Sequence, residues 1–328
     1  MSSTNSLYFD GNNEVLNIGN LPVFDFDMSD SFSLSAWVAP NPAQGWTSNF
    51  FPVISKMQSS GQFTGWVMAV GNTGVKIQLV ADLANYIDIE SNTGVNGGGW
   101  KHIVFTYSGS GTAAGCSIYI NNVLQTNVVV VDTYTTGSMV NSINMKIASR
   151  NMGANDYRGW MDDVAVYSEE LNASDVDAIY NNGVPGDLLV DLDDGYLEGY
   201  WKMGDGDAGI FPTITDHSAN GNDGTLINMV VDDITTEVPG LSHQSAQNFT
   251  FETGSQFMTQ QGFNKYQDAI GANNTGGAVV NYRMRALQSP GPGYHYWIVQ
   301  GAPDFAGANA PGAIQAGSAV ILTQWTEE

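Results

Sequence analysis

The stretch Tyr86-Ile-Asp-Ile-Glu90 sets two carboxylates two residues apart. Side chains alternate between the faces of a strand, so Tyr86, Asp88 and Glu90 would share one side. Paired carboxylates are the machinery of glycoside cleavage: one acts as acid, the other as nucleophile or base, across the scissile bond. The plainer reading is a strand with one polar face. Other reaction types find less support. The four histidines, His102, His217, His243 and His295, are scattered. The chain has no Gly-x-Ser-x-Gly elbow, His-Glu-x-x-His pair, P-loop or dinucleotide fingerprint. Its single cysteine, Cys116, lies in the alternating run Cys116-Ser-Ile-Tyr-Ile120 and reads as a small core residue, not a reactive thiolate. One cysteine also excludes an intrachain disulfide.

Two binding chemistries remain. Calcium takes six to eight oxygen ligands. Asp10 and Asn12 lie near the start of the chain, and Asp162 and Asp163 near the end of the first predicted domain. The first and last strands of a sandwich often pair, so these four residues are the expected calcium ligands. Without calcium, Asp10-Gly11 is a turn and Asp162-Asp163 a strand entry. Asp191-Leu-Asp-Asp-Gly195 and Asp205-Gly-Asp207 lack EF-hand spacing and read as solvated turns. A glycan site needs an aromatic platform flanked by amides and carboxylates. Trp46, Phe50, Phe63, Tyr134 and Tyr157 lie in loop-like stretches and are the candidates. Trp37, Trp100 and Trp160 fall in core-like strand patterns instead.

The elements that would position these groups are short strands. Phe32-Ser-Leu-Ser-Ala-Trp-Val38 alternates cleanly, with Phe32, Leu34, Ala36 and Val38 on one face. Similar runs recur between turns such as Asn72-Thr-Gly74, Gly109-Ser-Gly111 and Asn121-Asn122. Many short strands at such spacing predict an antiparallel sandwich. One helix has marked ends: Asn172 as N-cap, Asp175 at the third position, Leu171 facing Val176, and Asn181-Asn-Gly183 as a left-handed stop. At 328 residues, with 42% hydrophobic content, the chain is expected to form more than one folded domain. Residues 1–186 form the sandwich. Residues 187–240 are an acidic companion segment that completes it, closing near residue 230. Residues 241–328 are a β-rich attachment or oligomerisation domain, with strands at 278–287, 294–300 and 318–324.

The formal net charge is −23. Phosphate recognition needs clustered cations, so nucleic acid and anionic membrane surfaces are poor partners. The acidity is uneven: residues 187–239 hold 12 acidic side chains and only Lys202 as a base. The N-terminus lacks the basic and apolar regions of a signal peptide.

Several landmarks, in order, resemble the laminin G-like domains of the concanavalin A-like lectin/glucanase superfamily. They are Leu7-Tyr-Phe-Asp-Gly11, the strand ending in Trp37-Val38, Val53-Ile-Ser-Lys56 followed by Gly65-Trp66, Gly99-Trp-Lys-His-Ile-Val-Phe-Thr-Tyr107, and Gly159-Trp-Met-Asp-Asp-Val-Ala-Val-Tyr167 with the capped helix after it. The resemblance implies an all-β jelly roll, often with a calcium ion. Glucanases of that superfamily carry Glu-x-Asp-x-x-Glu or Glu-x-Asp-x-Glu on a strand. Here Tyr86 stands in the nucleophile's place, which argues against hydrolysis. The acidic block, with Gly199-Tyr-Trp-Lys-Met-Gly-Asp205 and Ile214–Leu226, resembles segments beside such domains in structural proteins of tailed bacteriophages. The expectation is a non-enzymatic virion protein, in a capsid decoration or a fibre, forming a homo-oligomer, with a trimer favoured. A lectin module for a cell-surface glycan is the alternative, and a glucanase-like hydrolase the third.

Overall fold

In the computed structural model, residues 3–41, 50–95, 99–150, 156–192 and 195–240 are described, with the backbone of three further strands at 280–285, 295–301 and 321–326. Period-two patterning drives the architecture. Phe32, Leu34, Ala36 and Val38 enter a core between two antiparallel sheets, and Ser33, Ser35 and Trp37 point the other way.

The first sheet has the spatial order β10 (Val123–Leu124), β9 (Cys116–Ile120), β8 (Lys101–Tyr107), β3 (Phe32–Pro40), β13 (Gly159–Tyr167), β1 (Ser6–Phe9) and β17 (Ile234–Thr235), and β14 (Leu197–Trp201) also pairs with β13. The second has the order β11 (Asn127–Asp132), β7 (Asn85–Ser91), β6 (Val75–Asp82), β5 (Gly65–Val70), β4 (Phe51–Met57), β12 (Met145–Ile147), β2 (Val15–Gly19), β16 (Gly224–Ile227) and β15 (Thr213–Ile214). The acidic block thus supplies strands to both sheets. Met1–Leu241 form one compact unit and Ser242–Glu328 another. The second unit contains an antiparallel sheet of β18 (Val280–Arg285), β19 (His295–Gly301) and β20 (Ile321–Thr326).

The inner faces of the two large sheets bury one continuous core, in which Trp66 donates its indole N–H to the Phe24 carbonyl at 3.2 Å. A second cluster, including Val104, Tyr167, Val176 and Ile179, lies on the outside of the first sheet. It is covered by the helix α1 (Ala173–Tyr180), which is capped as its sequence predicts. The Asn172 side chain accepts from the amides of Ser174 and Asp175, the Asp175 carboxylate accepts from the Asn172 amide, and Asn181 is left-handed. A second, single-turn helix, α2 (Leu188–Asp191), was not foreseen; Asp187 caps it through the Leu189 amide. Cys116 is buried, and burial pushes its thiol up to about 12.

Among the described residues, the buried tryptophans are Trp37, Trp66 and Trp201. Trp37 lies under the helix, 5.8 Å from the Tyr180 ring and stacked on it. Trp100 and Trp160 are only half-buried, which corrects the expectation of core packing. Trp160 pairs with Tyr8 across β1 and β13, with their ring centroids 4.8 Å apart.

Candidate functional site

Strands β6 and β7 bury Val75, Ile77, Leu79, Ile87 and Ile89. The alternate residues therefore face outward from the second sheet. Register aligns them in rows: Glu90 opposite Lys76 and then Ala69 and Pro52; Asp88 opposite Gln78 and then Val67, Ser55 and Lys146; Tyr86 opposite Val80 and then Gly65 and Met57. Cross-strand neighbours on one face are close enough to interact, so these rows make a single surface.

Its polar part centres on Lys76. The ammonium lies 3.0 Å from Asp88 Oδ1 and 2.8 Å from Glu90 Oε1. Gln78 Nε2 donates to Asp88 Oδ2 at 2.8 Å. Burial opposes the Lys76 charge, but the bonds to Glu90 and Asp88 outweigh it and hold its pKa above the ordinary range. Burial raises the Asp88 pKa, and Gln78 and Lys76 oppose that rise.

Its apolar part is a patch of Met57, Val67, Ala69 and Val80, against which Phe50, Phe63 and Tyr86 pack half-buried. The Lys76 ammonium stands 5.1 Å from the centre of the Phe50 ring, and the Arg150 guanidinium 5.5 Å from that of Phe63. Phe63 has φ of 56°, in the left-handed region that a bulky residue rarely adopts. Between these groups lies a shallow depression of about 140 Å3, floored by Pro52, Val67 and Ala69 and rimmed by Phe50, Lys76, Gln78 and Arg150. Pockets that enclose a small molecule run to about 300–1,000 Å3. A ligand here would lie across the face, with apolar contact beneath it and N–H donors at the rim.

Of the aromatic candidates, Phe50 and Phe63 come together, joined by Tyr86. Sequence reasoning treated Tyr86 only as a missing nucleophile; the hint of its role was the alternation that sets it beside Asp88. Arg150 and Gln78 were also missed, because their place depends on cross-strand register. Tyr134 packs against the main core, with its hydroxyl donating to the Gly137 carbonyl at 3.0 Å. Tyr157 must be corrected: it is fully buried, edge-on to Phe9, and its hydroxyl donates to the Trp160 carbonyl at 2.9 Å, so it offers no platform. Trp46 lies outside the described residues.

The expected calcium set does not converge. β1 and β13 do pair, but Phe9 aligns with Gly159 and Leu7 with Met161. Asp10 therefore lies level with residue 158, four residues and about 13 Å along the strand from Asp162. The Asp10 carboxylate instead accepts from the Asn12 amide at 2.7 Å and from Asn12 Nδ2 at 3.0 Å, closing a turn. Asp162 and Asp163 are buried. Among the described residues, no group of three or more His, Cys, Asp or Glu side chains is placed to hold a metal ion.

The laminin G model of the concanavalin A-like lectin/glucanases superfamily matches residues 9–177, more than half of the chain. The chain belongs to that superfamily. The matched residues contain both large sheets except β14 to β17 and β1, of which only Phe9 is matched. Among solved structures, this superfamily member is similar to a candidate carbohydrate binding protein from Bacteroides ovatus at 18% identity, with TM-score 0.47, covering 72% of this chain and 60% of that one. It is also similar to a heptameric SAP-like pentraxin from Limulus polyphemus at 16% identity, with TM-score 0.39, covering 54% of this chain and 82% of that one. A third likeness is to the binding domain of Paraclostridial Mosquitocidal Protein 1, at 15% identity and TM-score 0.39, covering 55% of this chain and 46% of that one. The chain thus spans 60% of the length of the first of these. A comparison with curated proteins found no match.

Proposed function

We propose that this chain is a saccharide-binding protein and not a hydrolase, with its site on the outer face of the second sheet. The observation that carries this reading is a shallow depression rimmed by Phe50, Lys76, Gln78 and Arg150, whose apolar floor continues into the patch against which Phe63 and Tyr86 pack. Sugars present C–H faces to aromatic rings and hydroxyls to fixed polar groups, and this surface supplies both. Hydrolysis is disfavoured because Tyr86 replaces one carboxylate and Lys76 is ion-paired with the other two. The test is an oligosaccharide array followed by titration calorimetry. Phe63→Asn is expected to weaken binding about tenfold, a loss of about 1.4 kcal/mol. It should cost little stability, because asparagine tolerates the left-handed backbone and relieves about 1–2 kcal/mol of strain there. Failure of the wild-type chain to bind any saccharide rejects the reading. Release of reducing sugar that Glu90→Gln abolishes would show a hydrolase instead.

A second reading, compatible with the first, makes the chain a structural component of a bacteriophage particle. The observation that favours it is β11, an open edge of the second sheet, where Val128, Val129 and Val130 are exposed. The edge strand of the first sheet, β10, likewise exposes Val123 and Leu124. An unpaired, apolar strand edge is a template for pairing with another chain. A second copy of this chain fits it, because residues 123–131 carry no charge in a strongly acidic molecule. Calcium would be an accessory to either reading. Mass spectrometry of purified particles is expected to detect the chain, and its absence would end this second reading.

A further inference from the structure

Cations are scarce in this chain, ten against 33 acidic residues, so an unpaired one on a binding face carries information. Three stand on or beside the outer face of the second sheet. Lys76 is neutralised by Asp88 and Glu90. Lys146 has the Asp156 charge nearby and donates to the Arg150 carbonyl at 3.1 Å. Arg150 differs. Among the described residues, no carboxylate lies within ion-pair distance of its guanidinium. The sequence stretches 42–49 and 151–155 contain no acidic residue either. The guanidinium has the Phe63 ring on one side and the Met57 sulfur, a weak acceptor, 3.8 Å from Nη1. Its Nε is buried without a hydrogen-bond partner.

Burial without a counter-ion is unfavourable for a cation, and it pulls the Arg150 pKa below its ordinary range. A guanidinium also offers donors in a planar fork that matches a carboxylate or sulfate bidentately. Arg150 lines the same depression as Phe50 and Gln78. We infer that the saccharide bound on this face carries an acidic group, a carboxylate or a sulfate, which docks on the Arg150 guanidinium while the sugar ring lies over the aromatic patch. This inference rests on the saccharide reading. It adds that the ligand is anionic, although the protein around the site is strongly acidic.

The test titrates the full chain with matched oligosaccharides that are neutral, uronate-bearing or sulfated. Each is measured at low and at raised salt. At least one acidic series is expected to bind about tenfold more tightly than its neutral counterpart, with the preference shrinking as salt rises. The two acidic arms distinguish carboxylate from sulfate. Arg150→Gln is expected to abolish the preference, bringing the variant's affinity for the acidic sugar down to its affinity for the neutral counterpart. Arg150→Lys should retain part of it, since a point charge remains without the fork. Thermal unfolding checks that both variants fold. Equal affinity of the wild-type chain for neutral and acidic sugars overturns the inference and leaves the saccharide reading standing. A preference that survives Arg150→Gln overturns it as well. Absence of binding to every sugar removes the saccharide reading and, with it, this inference.

Discussion

Replacing Lys56 with methionine is expected to lower folding stability by about 3–5 kcal/mol, the usual result of removing one partner from a buried ion pair. Lys56 is 1% exposed, yet its ammonium is fully engaged. It lies 2.7 Å from Asp25 Oδ1, and it donates to Asn20 Oδ1 and to the Asn141 carbonyl, each at 2.9 Å. These partners come from the segment after β2 and the loop before β12, so one side chain ties both to β4. Asn141 in turn donates to the carbonyls of Lys56 and Thr64, each at 3.1 Å, which fixes the base of the hairpin that carries Phe63. Methionine keeps most of the stem volume, so packing is little changed. What it removes is the partner of one carboxylate and of two further acceptors, Asn20 Oδ1 and the Asn141 carbonyl. Asp25 is 26% exposed, and water recovers some of that loss, which favours the lower end of the range. Urea denaturation of Lys56→Met, Asp25→Asn and the double variant checks it. A coupling below about 0.5 kcal/mol would mean that the pair acts independently. The same variant should also weaken saccharide binding, because the Phe63 hairpin loses its anchor.

Much of the sandwich was legible in the sequence because its cause is local. Phe32 to Val38 alternates cleanly, and the helix after Asn172 carries its own start and stop signals. What local pattern does not contain is register. Asp10 and Asp163 belong to strands that do pair, but the alignment of Phe9 with Gly159 separates them. Tyr157 sits in a loop-like stretch, yet the turn before β13 folds its ring onto Phe9. The candidate site failed in the same way. Tyr86, Asp88 and Glu90 were correctly placed on one face by period two, but their partners Lys76, Gln78, Phe63 and Arg150 come from other strands and loops. A motif sought along one strand therefore resembled a broken hydrolase. Across strands, the same residues form one polar and aromatic face, the one proposed to take a saccharide.

Stability is expected to fall as pH rises from 4 to 8, and Asp163→Asn should remove much of that fall. Asp163 sits at a bulge in β13 with φ of 42°, and it is 5% exposed. Burial pushes its carboxyl up to about 7, against opposing contributions from the Tyr200 hydroxyl and the Lys202 charge. Burial also raises its neighbour Asp162 well above the carboxylate range, and Asp163 adds to that rise. The Tyr200 hydroxyl donates to Asp163 Oδ1, but Oδ2 of each aspartate has no hydrogen-bond partner. The folded chain thus holds these protons to higher pH than the unfolded chain does. Their contribution to stability is full below the unfolded pKa near 4 and is lost as pH climbs through the folded value near 7. Burial also pushes Glu14 up to about 7, with the same sign. At 1.36 kcal/mol per pKa unit, the Asp163 contribution is about 2–4 kcal/mol between pH 4 and pH 8. Asparagine suits this position: it tolerates the left-handed backbone, its side-chain oxygen can accept from Tyr200, and it carries no charge to bury. Urea titrations at pH 5 and pH 8 should show a steep loss for the wild-type chain and a shallower one for Asp163→Asn, with the variant more stable at pH 8. Equal losses in the two proteins would place the pH dependence in groups other than this aspartate.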